Sequence, residues 1–132
     1  MGKLINLVTP LHKRTKRDYI ARMTDNKVEA MRVARKYEYD YWDGARRYGY
    51  GGYKYDGRWK VVAQKLIRIY KLNNKSKILD VGCGKAYLLF ELKKVLPGAE
   101  VRGFDISRHG LKKAPEEIKP YLSRYKAQDK YP

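Results

Sequence analysis

The stretch between residues 77 and 105 constrains the fold of this chain most strongly. A short apolar strand over 77–81 leads into a glycine-rich turn over 82–86, a helical segment over 87–96 and a second apolar strand over 101–105. A strand, a helix and a strand in this order, with short connections, are typical of a unit whose two strands run parallel. We therefore predict an α/β fold built on an open parallel sheet.

Composition divides the 132 residues into three regions. Residues 1–17 are basic and lack a clear hydrophobic period, so we interpret them as an arm. Residues 18–75 are expected to form a lid region of helices and an aromatic loop. Residues 76–132 carry the alternating strands and helices. A chain of this length buries one core but hardly two, so we expect one main domain.

The region 18–75 combines helices with an aromatic loop. Apolar residues at helical spacing predict two short helices, or one kinked helix, between Asp18 and Tyr37. Residues 37–59 hold both tryptophans, seven of the 13 tyrosines and five glycines, which indicates a structured loop. From Trp59 to Tyr70 apolar residues recur every three or four positions and predict a helix with one buried face.

The last part of the chain continues the alternation less clearly. Ser107 can cap a second helix, but Pro115 and Pro120 should break it into short pieces. Residues 125–128 are the expected third strand.

Charge and cysteine content restrict the setting in which the chain works. Its 31 Lys and Arg residues against 14 Asp and Glu residues give a net charge of +17, spread along the chain, which favours anionic partners. Cys83 is the single cysteine, and no Cys/His cluster suits a metal. We find no signal peptide and no run of about 18 uncharged apolar residues that could cross a bilayer. We expect a soluble, cytoplasmic protein.

The turn over 82–86 has the composition of a ligand-binding turn. It follows Asp80 and has Gly82, Gly84 and Ala86 at alternate positions, which lets the backbone approach a ligand at the amino end of a helix. Asp105 lies at the end of the next strand, 19 residues beyond Ala86. Its carboxylate can accept both hydroxyls of a ribose that lies across the strand ends. This geometry favours a nucleoside ligand.

These features together resemble the first two motifs of class I, Rossmann-like methyltransferases that use S-adenosylmethionine. The resemblance covers Ile78-Leu79-Asp80-Val81-Gly82-Cys83-Gly84-Lys85-Ala86 and, downstream, Asp105. It implies the N-terminal, cofactor-binding part of a three-layer α/β/α domain, preceded by N-terminal helices and an aromatic, Gly-rich loop. It also implies S-adenosylmethionine as the cofactor and transfer of its methyl group to an acceptor, which we expect to be a small molecule.

The resemblance assigns roles to individual residues. The turn would surround the methionine end of the cofactor, Asp105 would hold the ribose, and Ile106 would pack on the adenine. Residues 127–129 would lie near the adenine edge. The predicted cofactor-binding residues are Asp80, Gly82, Cys83, Gly84, Lys85, Ala86, Asp105, Ile106, Gln128 and Asp129. The catalytic residues are not named by these motifs.

A nicotinamide dinucleotide is the nearest alternative cofactor. Its binding turn requires a third glycine three positions after the second, and Tyr87 occupies that position here. The methyltransferase pattern needs only a small residue at 86, which Ala86 supplies. The sequence therefore favours the methyltransferase pattern.

The aromatic loop has two interpretations of equal weight. Class I enzymes commonly place a substrate or cofactor lid just upstream of the sheet, which makes Tyr53, Tyr55, Arg58 and Trp59 candidate lid residues. Aromatic faces also suit a sulfonium cation. Alternatively, these side chains pack the preceding helices onto the core.

Three further side chains are interpreted individually. Cys83 is read as a packing thiol, since no neighbouring base would activate it. Lys85 either meets the carboxylate of the cofactor or is a solvated lysine at a helix start, and the second is favoured. His109 is expected to be a surface histidine.

The sequence leaves the extent of the domain and the partners open. A class I domain normally has further strands, and the 52 residues after Asp80 accommodate about three. We therefore expect a partial domain that is inactive alone and self-associates through an exposed sheet edge. The competing hypothesis is a basic nucleic-acid-binding module whose glycine-rich turn is structural or vestigial.

Overall fold

The structure, a computed structural model, describes residue 2, residues 4–9 and residues 18–130. The predicted basic arm over 1–17 lies largely outside the described residues and stays a prediction. No helix among the described residues is long and apolar enough to cross a membrane.

Between residues 18 and 76, in the described part of the chain, four helices precede the sheet. They are α1 (Tyr19–Thr24), α2 (Lys27–Ala34), α3 (Tyr39–Trp42) and α4 (Trp59–Tyr70). The carboxylate of Asp18 caps α1 by accepting a hydrogen bond from the Ala21 amide at 2.9 Å. The two predicted short helices and the amphipathic helix that begins at Trp59 are thus confirmed.

The remainder of the chain alternates between strands and helices. Its elements are β1 (Lys77–Val81), α5 (Tyr87–Val95), β2 (Glu100–Asp105), α6 (Arg108–Lys112), a 3-10 turn (Lys119–Tyr121) and β3 (Leu122–Arg124). Ser107 caps α6, as predicted, because its hydroxyl accepts the Gly110 amide at 2.8 Å.

The three strands form one parallel sheet in the order β1, β2, β3. Val81 is opposite Phe104, and Asp105 is opposite Arg124. The carboxyl ends of the strands therefore meet at one edge, where parallel sheets bind ligands. The predicted α/β class and partial Rossmann-like sheet are confirmed.

The position predicted for the third strand was wrong. β3 covers Leu122–Arg124, whereas residues 125–128 leave the sheet and form a turn. A three-residue strand that directly follows a 3-10 turn has too few positions to show an alternating pattern. The same residues 125–128 instead line a cleft beside the strand ends.

The core lies on the helix-covered face of the sheet. Leu89 and Leu92 of α5 pack with Val101 of β2, and Ile118 closes the core from the last connection. Gly103 of β2 permits this packing, since a Cβ there would be 2.6 Å from Leu89 Cδ1. The helix α4 packs on α5 through Ala63, which is fully buried.

The opposite face of the sheet is open in the described part of the chain. Leu79 is 51% exposed and Val81 is 47% exposed, although both are apolar strand residues. The described residues thus supply the sheet and one helical layer.

Candidate cofactor site at the carboxyl ends of the strands

The turn between β1 and α5 adopts an unusual backbone conformation. Three of its residues have positive φ: Gly82 at +78°, Gly84 at +57° and Ala86 at +54°. The turn is tied to β2, because the Gly82 amide donates to the Phe104 carbonyl at 2.8 Å. Glycine tolerates such angles at little cost, which explains its use at two of these positions.

The two glycines face different surroundings. A Cβ at Gly82 would meet no heavy atom within 4 Å, so the space beside this residue is free for a ligand. A Cβ at Gly84 would lie 2.5 Å from Cη2 of Trp42. The sequence predicted that both glycines admit a ligand. In the structure Gly84 instead admits an indole ring.

Asp105 is the last residue of β2, and its carboxylate is hydrogen-bonded to the turn that follows β1. Its carboxylate accepts hydrogen bonds from the amides of Gly84 and Ser107, each at 2.8 Å. These bonds fix the carboxylate beside the turn. Because each carboxylate oxygen has two lone pairs, both oxygens retain acceptor capacity for a ligand hydroxyl.

Asp80 supplies a second carboxylate at this edge. Burial, reinforced by the negative charge of Asp105, raises the pKa of Asp80 above its usual range. Its carboxylate has no hydrogen-bond or ion-pair partner among the described residues. A cationic group bound beside Asp80 would lower this pKa again, because an opposite charge favours the ionised carboxylate.

An open cleft of about 480 Å³ lies at the strand ends. It is lined by Val81, Gly82, Phe104, Asp105, Ile106, Tyr125, Lys126, Ala127 and Gln128. Four predicted cofactor residues, Gly82, Asp105, Ile106 and Gln128, therefore share one cavity. Asp129 does not line the cleft, and its carboxylate accepts the Lys126 amide at 2.9 Å.

An aromatic wall formed by Tyr41, Trp42, Tyr50 and Tyr53 stands against the turn. The ring of Trp42 stacks on Tyr50 with 5.2 Å between centroids, and Tyr50 stacks on Tyr53 at 4.8 Å. The indole nitrogen of Trp42 donates to the Ser107 hydroxyl at 3.0 Å. This wall is thereby fixed to the residues that follow β2.

Asp43 lies in the aromatic loop over residues 37–59, which we call the aromatic segment. It links this segment to Lys85 of the turn and to His109, which follows β2. Its Oδ1 lies 2.7 Å from Nζ of Lys85, and its Oδ2 lies 2.6 Å from Nε2 of His109. Burial alone would raise the pKa of Asp43, but the hydrogen bonds from Lys85 and His109 outweigh it and hold this pKa at about 2. The carboxylate of Asp43 is therefore ionised in the folded protein at ordinary pH.

The predictions that Lys85 is solvated and that His109 is a surface residue were wrong. Lys85 is 4% exposed, and its ammonium also donates to the Tyr53 carbonyl at 2.9 Å. His109 is partly buried against Asp43. The partners are 42 and 66 residues apart in sequence, so no local pattern indicates them. The ammonium of Lys85 points to the aromatic segment in this arrangement.

The comparison with protein families agrees with the geometry of the turn. Residues 72–128 match the family described as "Methyltransferase domain". This stretch, less than half of the chain, is therefore similar to a methyltransferase domain. The matched stretch includes the turn, Asp105, Ile106 and Gln128, all of which the sequence assigned to the cofactor.

Two solved structures that match were also compared with the chain. "Crystal structure of MccD protein" is 28% identical over 49% of this chain and 30% of that chain, with a TM-score of 0.42. "Crystal structure of Coclaurine N-Methyltransferase (CNMT) bound to N-methylheliamine and SAH" is 13% identical over 92% of this chain and 41% of that chain, with a TM-score of 0.46. This chain thus spans less than half the length of either. No curated protein matches it significantly.

The four candidate lid residues lie in packing contacts. Trp59 donates through its indole nitrogen to the Tyr53 hydroxyl at 2.6 Å, and Tyr55 donates to Glu91 of α5 at 2.7 Å. Arg58 pairs with Asp56 at 2.7 Å. These contacts agree with the packing interpretation, and a lid role for the four residues stays a prediction.

Cys83 lies in the glycine-rich turn and is partly buried. Burial, together with the charges of Asp80 and Asp105, raises the pKa of its thiol. A thiol in this state is a poor nucleophile, as the packing interpretation requires. Among the described residues no group of three or more His, Cys, Asp or Glu side chains is placed to hold a metal ion.

Proposed function

We propose that this chain binds S-adenosylmethionine in the strand-end cleft and is the cofactor-binding part of an S-adenosylmethionine-dependent methyltransferase. One observation carries the proposal. The open space beside Gly82, the fixed carboxylate of Asp105, and the side chains of Ile106 and Gln128 meet at one cavity.

The residues present fit the parts of this cofactor. Gly82 leaves room for the backbone to approach the methionine end, where a side chain would stand in the cleft. Asp105 has acceptor capacity for the two ribose hydroxyls. Ile106, 39% exposed at the cleft, offers an apolar surface to the adenine, and Gln128 offers an amide to its edge.

The bound cofactor would supply an electrophilic methyl group on a sulfonium ion. The contribution of this chain is to hold the cofactor and to orient its methyl group. The half-buried carboxylate of Asp80 would attract the ammonium of the methionine end, since it lacks a cationic partner among the described residues. The ring of Trp42 covers one side of the turn, where Gly84 is buried. Holding the reacting groups in the right geometry supplies a large part of the rate enhancement in catalysed displacement reactions.

The acceptor and the cellular setting belong to the same proposal. A cleft of about 480 Å³ is of the size that suits a nucleoside cofactor. We expect the methyl acceptor to be a small molecule and the location to be cytoplasmic, in keeping with the unpaired Cys83. The net charge of +17 keeps a nucleic-acid partner as the competing function.

Isothermal titration calorimetry tests the proposal. The chain is titrated with S-adenosylhomocysteine and, separately, with a short single-stranded oligonucleotide. We expect the nucleoside to bind, and Asp105→Ala to weaken it by about 1–3 kcal/mol because two charge-assisted hydrogen bonds are lost. Glu117→Gln, at an exposed carboxylate outside the cleft, is the control and should bind as the parent does. Binding of the oligonucleotide alone would contradict the proposal.

A further inference from the structure

A second cavity lies away from the strand ends. It has a volume of about 440 Å³ and separates α1 and α2 from the aromatic segment. Its apolar lining comes from Met23, Ala30 and Met31 on the helices and from the rings of Tyr41, Tyr48 and Tyr50. We refer to it as the helical cavity. It shares no lining residue with the strand-end cleft.

The side chains that line the cavity suit a flat aromatic ring. Methionine side chains adapt to the outline of a ligand, and aromatic faces stack on planar rings. Met31 is 43% exposed and Tyr50 is 41% exposed, so both have surface left to cover. A volume of about 440 Å³ lies within the range of small-molecule sites.

The charges around the helical cavity favour an anion. Lys27, Arg46 and Arg47 line it, against the single carboxylate of Asp25. The guanidinium of Arg46 is held in place, since its Nη1 donates to the carbonyls of Gly49 and Tyr50 at 2.8 and 2.9 Å. The Arg47–Asp25 pair, at 3.1 Å, is exposed and therefore costs little to exchange.

Tyr41, one of three tyrosines that line the cavity, adds no negative charge. Burial, together with the charge and hydroxyl of Tyr50, raises the pKa of Tyr41 to about 12, so its phenol is neutral at ordinary pH.

The basic residues in the sequence 12–17 carry the same charge sign as Lys27, Arg46 and Arg47. Repulsion between like charges therefore disfavours this part of the chain as the occupant of the cavity.

We propose that the helical cavity binds a small aromatic anion, with the ring between the methionines and tyrosines and the anionic group beside Arg47. This site is independent of the proposed cofactor site. Tyr41 and Tyr50 of the aromatic wall line the cavity, and Trp42, which packs on Tyr41 at 5.1 Å, stands between them and Gly84.

A fluorescence titration with 1-anilinonaphthalene-8-sulfonate tests the proposal on the full chain. The neutral analogue N-phenyl-1-naphthylamine separates the contribution of charge from that of the rings. We expect Arg47→Gln to weaken the sulfonate about tenfold, because a charge-assisted contact is lost and Asp25 loses its partner. The affinity for the neutral analogue should stay unchanged.

Three further variants locate the probe. Ala30→Trp fills the cavity and should abolish binding of both probes, and Ala30→Leu, the milder change, should weaken both. Leu79→Ser, on the open face of the sheet, should leave both affinities unchanged. Circular dichroism confirms that each variant is folded. If Leu79→Ser removes the signal, or Ala30→Leu and Arg47→Gln leave it intact, the proposal is wrong. S-adenosylhomocysteine affinity, measured separately on Ala30→Leu, should equal that of the parent.

Discussion

At the scale of single residues, the site depends on partners that are distant in sequence. Asp43 holds Lys85 and His109, and Trp42 occupies the space that Gly84 leaves free. The glycine-rich turn is therefore stabilised by residues that lie outside the stretch 78–86. Residues of the aromatic segment determine how the turn is held.

Removing the carboxylate of Asp43 tests this dependence. Asp43→Asn leaves the ammonium of Lys85 buried without a counter-charge, and we expect a loss of about 2–4 kcal/mol in the free energy of unfolding. Asp40→Asn, at an exposed carboxylate in the short helix α3 that ends just before Asp43, is the matched control and should change stability little. Urea denaturation measures both. Equal midpoints for the two variants would contradict the assigned role of Asp43.

The same carboxylate gives this prediction a pH dependence. The folded pKa of Asp43, about 2, lies below the ordinary value of 3.8, so its contribution is present above pH 4 and is lost as the pH falls from about 4 to 2. The stability of the parent should fall more steeply over this range than that of Asp43→Asn.

The two glycines of the turn should respond differently to alanine. Gly82→Ala strains one residue with positive φ, at about 1 kcal/mol, and should mainly reduce S-adenosylhomocysteine affinity. Gly84→Ala places a methyl group against Trp42 and should cost about 3 kcal/mol in stability. Combining Gly84→Ala with Trp42→Phe should recover part of that loss. Thermal melts and calorimetry separate the effects, and equal melting temperatures for the two alanine variants would refute the distinction.

At the scale of elements, the aromatic segment is docked onto α5. The hydroxyl of Tyr55 donates to Glu91, a carboxylate that is 4% exposed, and its ring stacks on Tyr87 at 4.5 Å. Burial raises the pKa of Tyr55, so it remains a donor at ordinary pH. This contact joins the segment before the sheet to the helix after the turn.

Tyr55→Phe tests the docking. The ring stack is retained, but Glu91 loses its buried donor, which should cost about 1–3 kcal/mol in the free energy of unfolding. Tyr39→Phe, at an exposed ring, is the control and should cost little. Chemical denaturation provides the measurement. A Tyr55→Phe variant as stable as the control would show that this hydrogen bond does not hold the segment on α5.

The sequence predicted the elements whose pattern is local. The helix from Trp59 to Tyr70, both long strands and the Ser107 cap follow from spacing within a dozen residues. The short strand over 122–124 was misplaced because three residues carry no period. The pairing of Asp43 with Lys85 was not predicted, since it depends on how two distant segments pack. The cleft residues were predicted by motif, and Asp129 lies outside the cleft.

At the scale of the whole molecule, β1 is an edge strand of the sheet among the described residues. Its ladder is formed with β2 on one side, and Leu79 and Val81 are exposed on the face away from the helices. An apolar edge of this kind offers backbone donors and acceptors to another chain. The basic surface opposes association at low ionic strength.

We expect the chain to self-associate through this edge at moderate salt concentration. Light scattering during size exclusion should give a mass above 15.6 kDa, and Leu79→Lys should restore the monomer. Val95→Lys, at an exposed apolar residue of α5, is the matched control and should leave association unchanged. A parent chain that is monomeric at micromolar concentration and melts sharply would contradict the expectation.

The location of the cofactor is the central claim, and a heteronuclear NMR titration tests it most directly. Nitrogen-15 correlation spectra of the chain are recorded with increasing S-adenosylhomocysteine. We predict the largest shifts for the amides of Gly82, Ile106 and Gln128, with Gly49 of the helical cavity unaffected. Saturable shifts confined to the helical cavity, or none at Gly82 and Ile106, would contradict the assignment of the strand-end cleft.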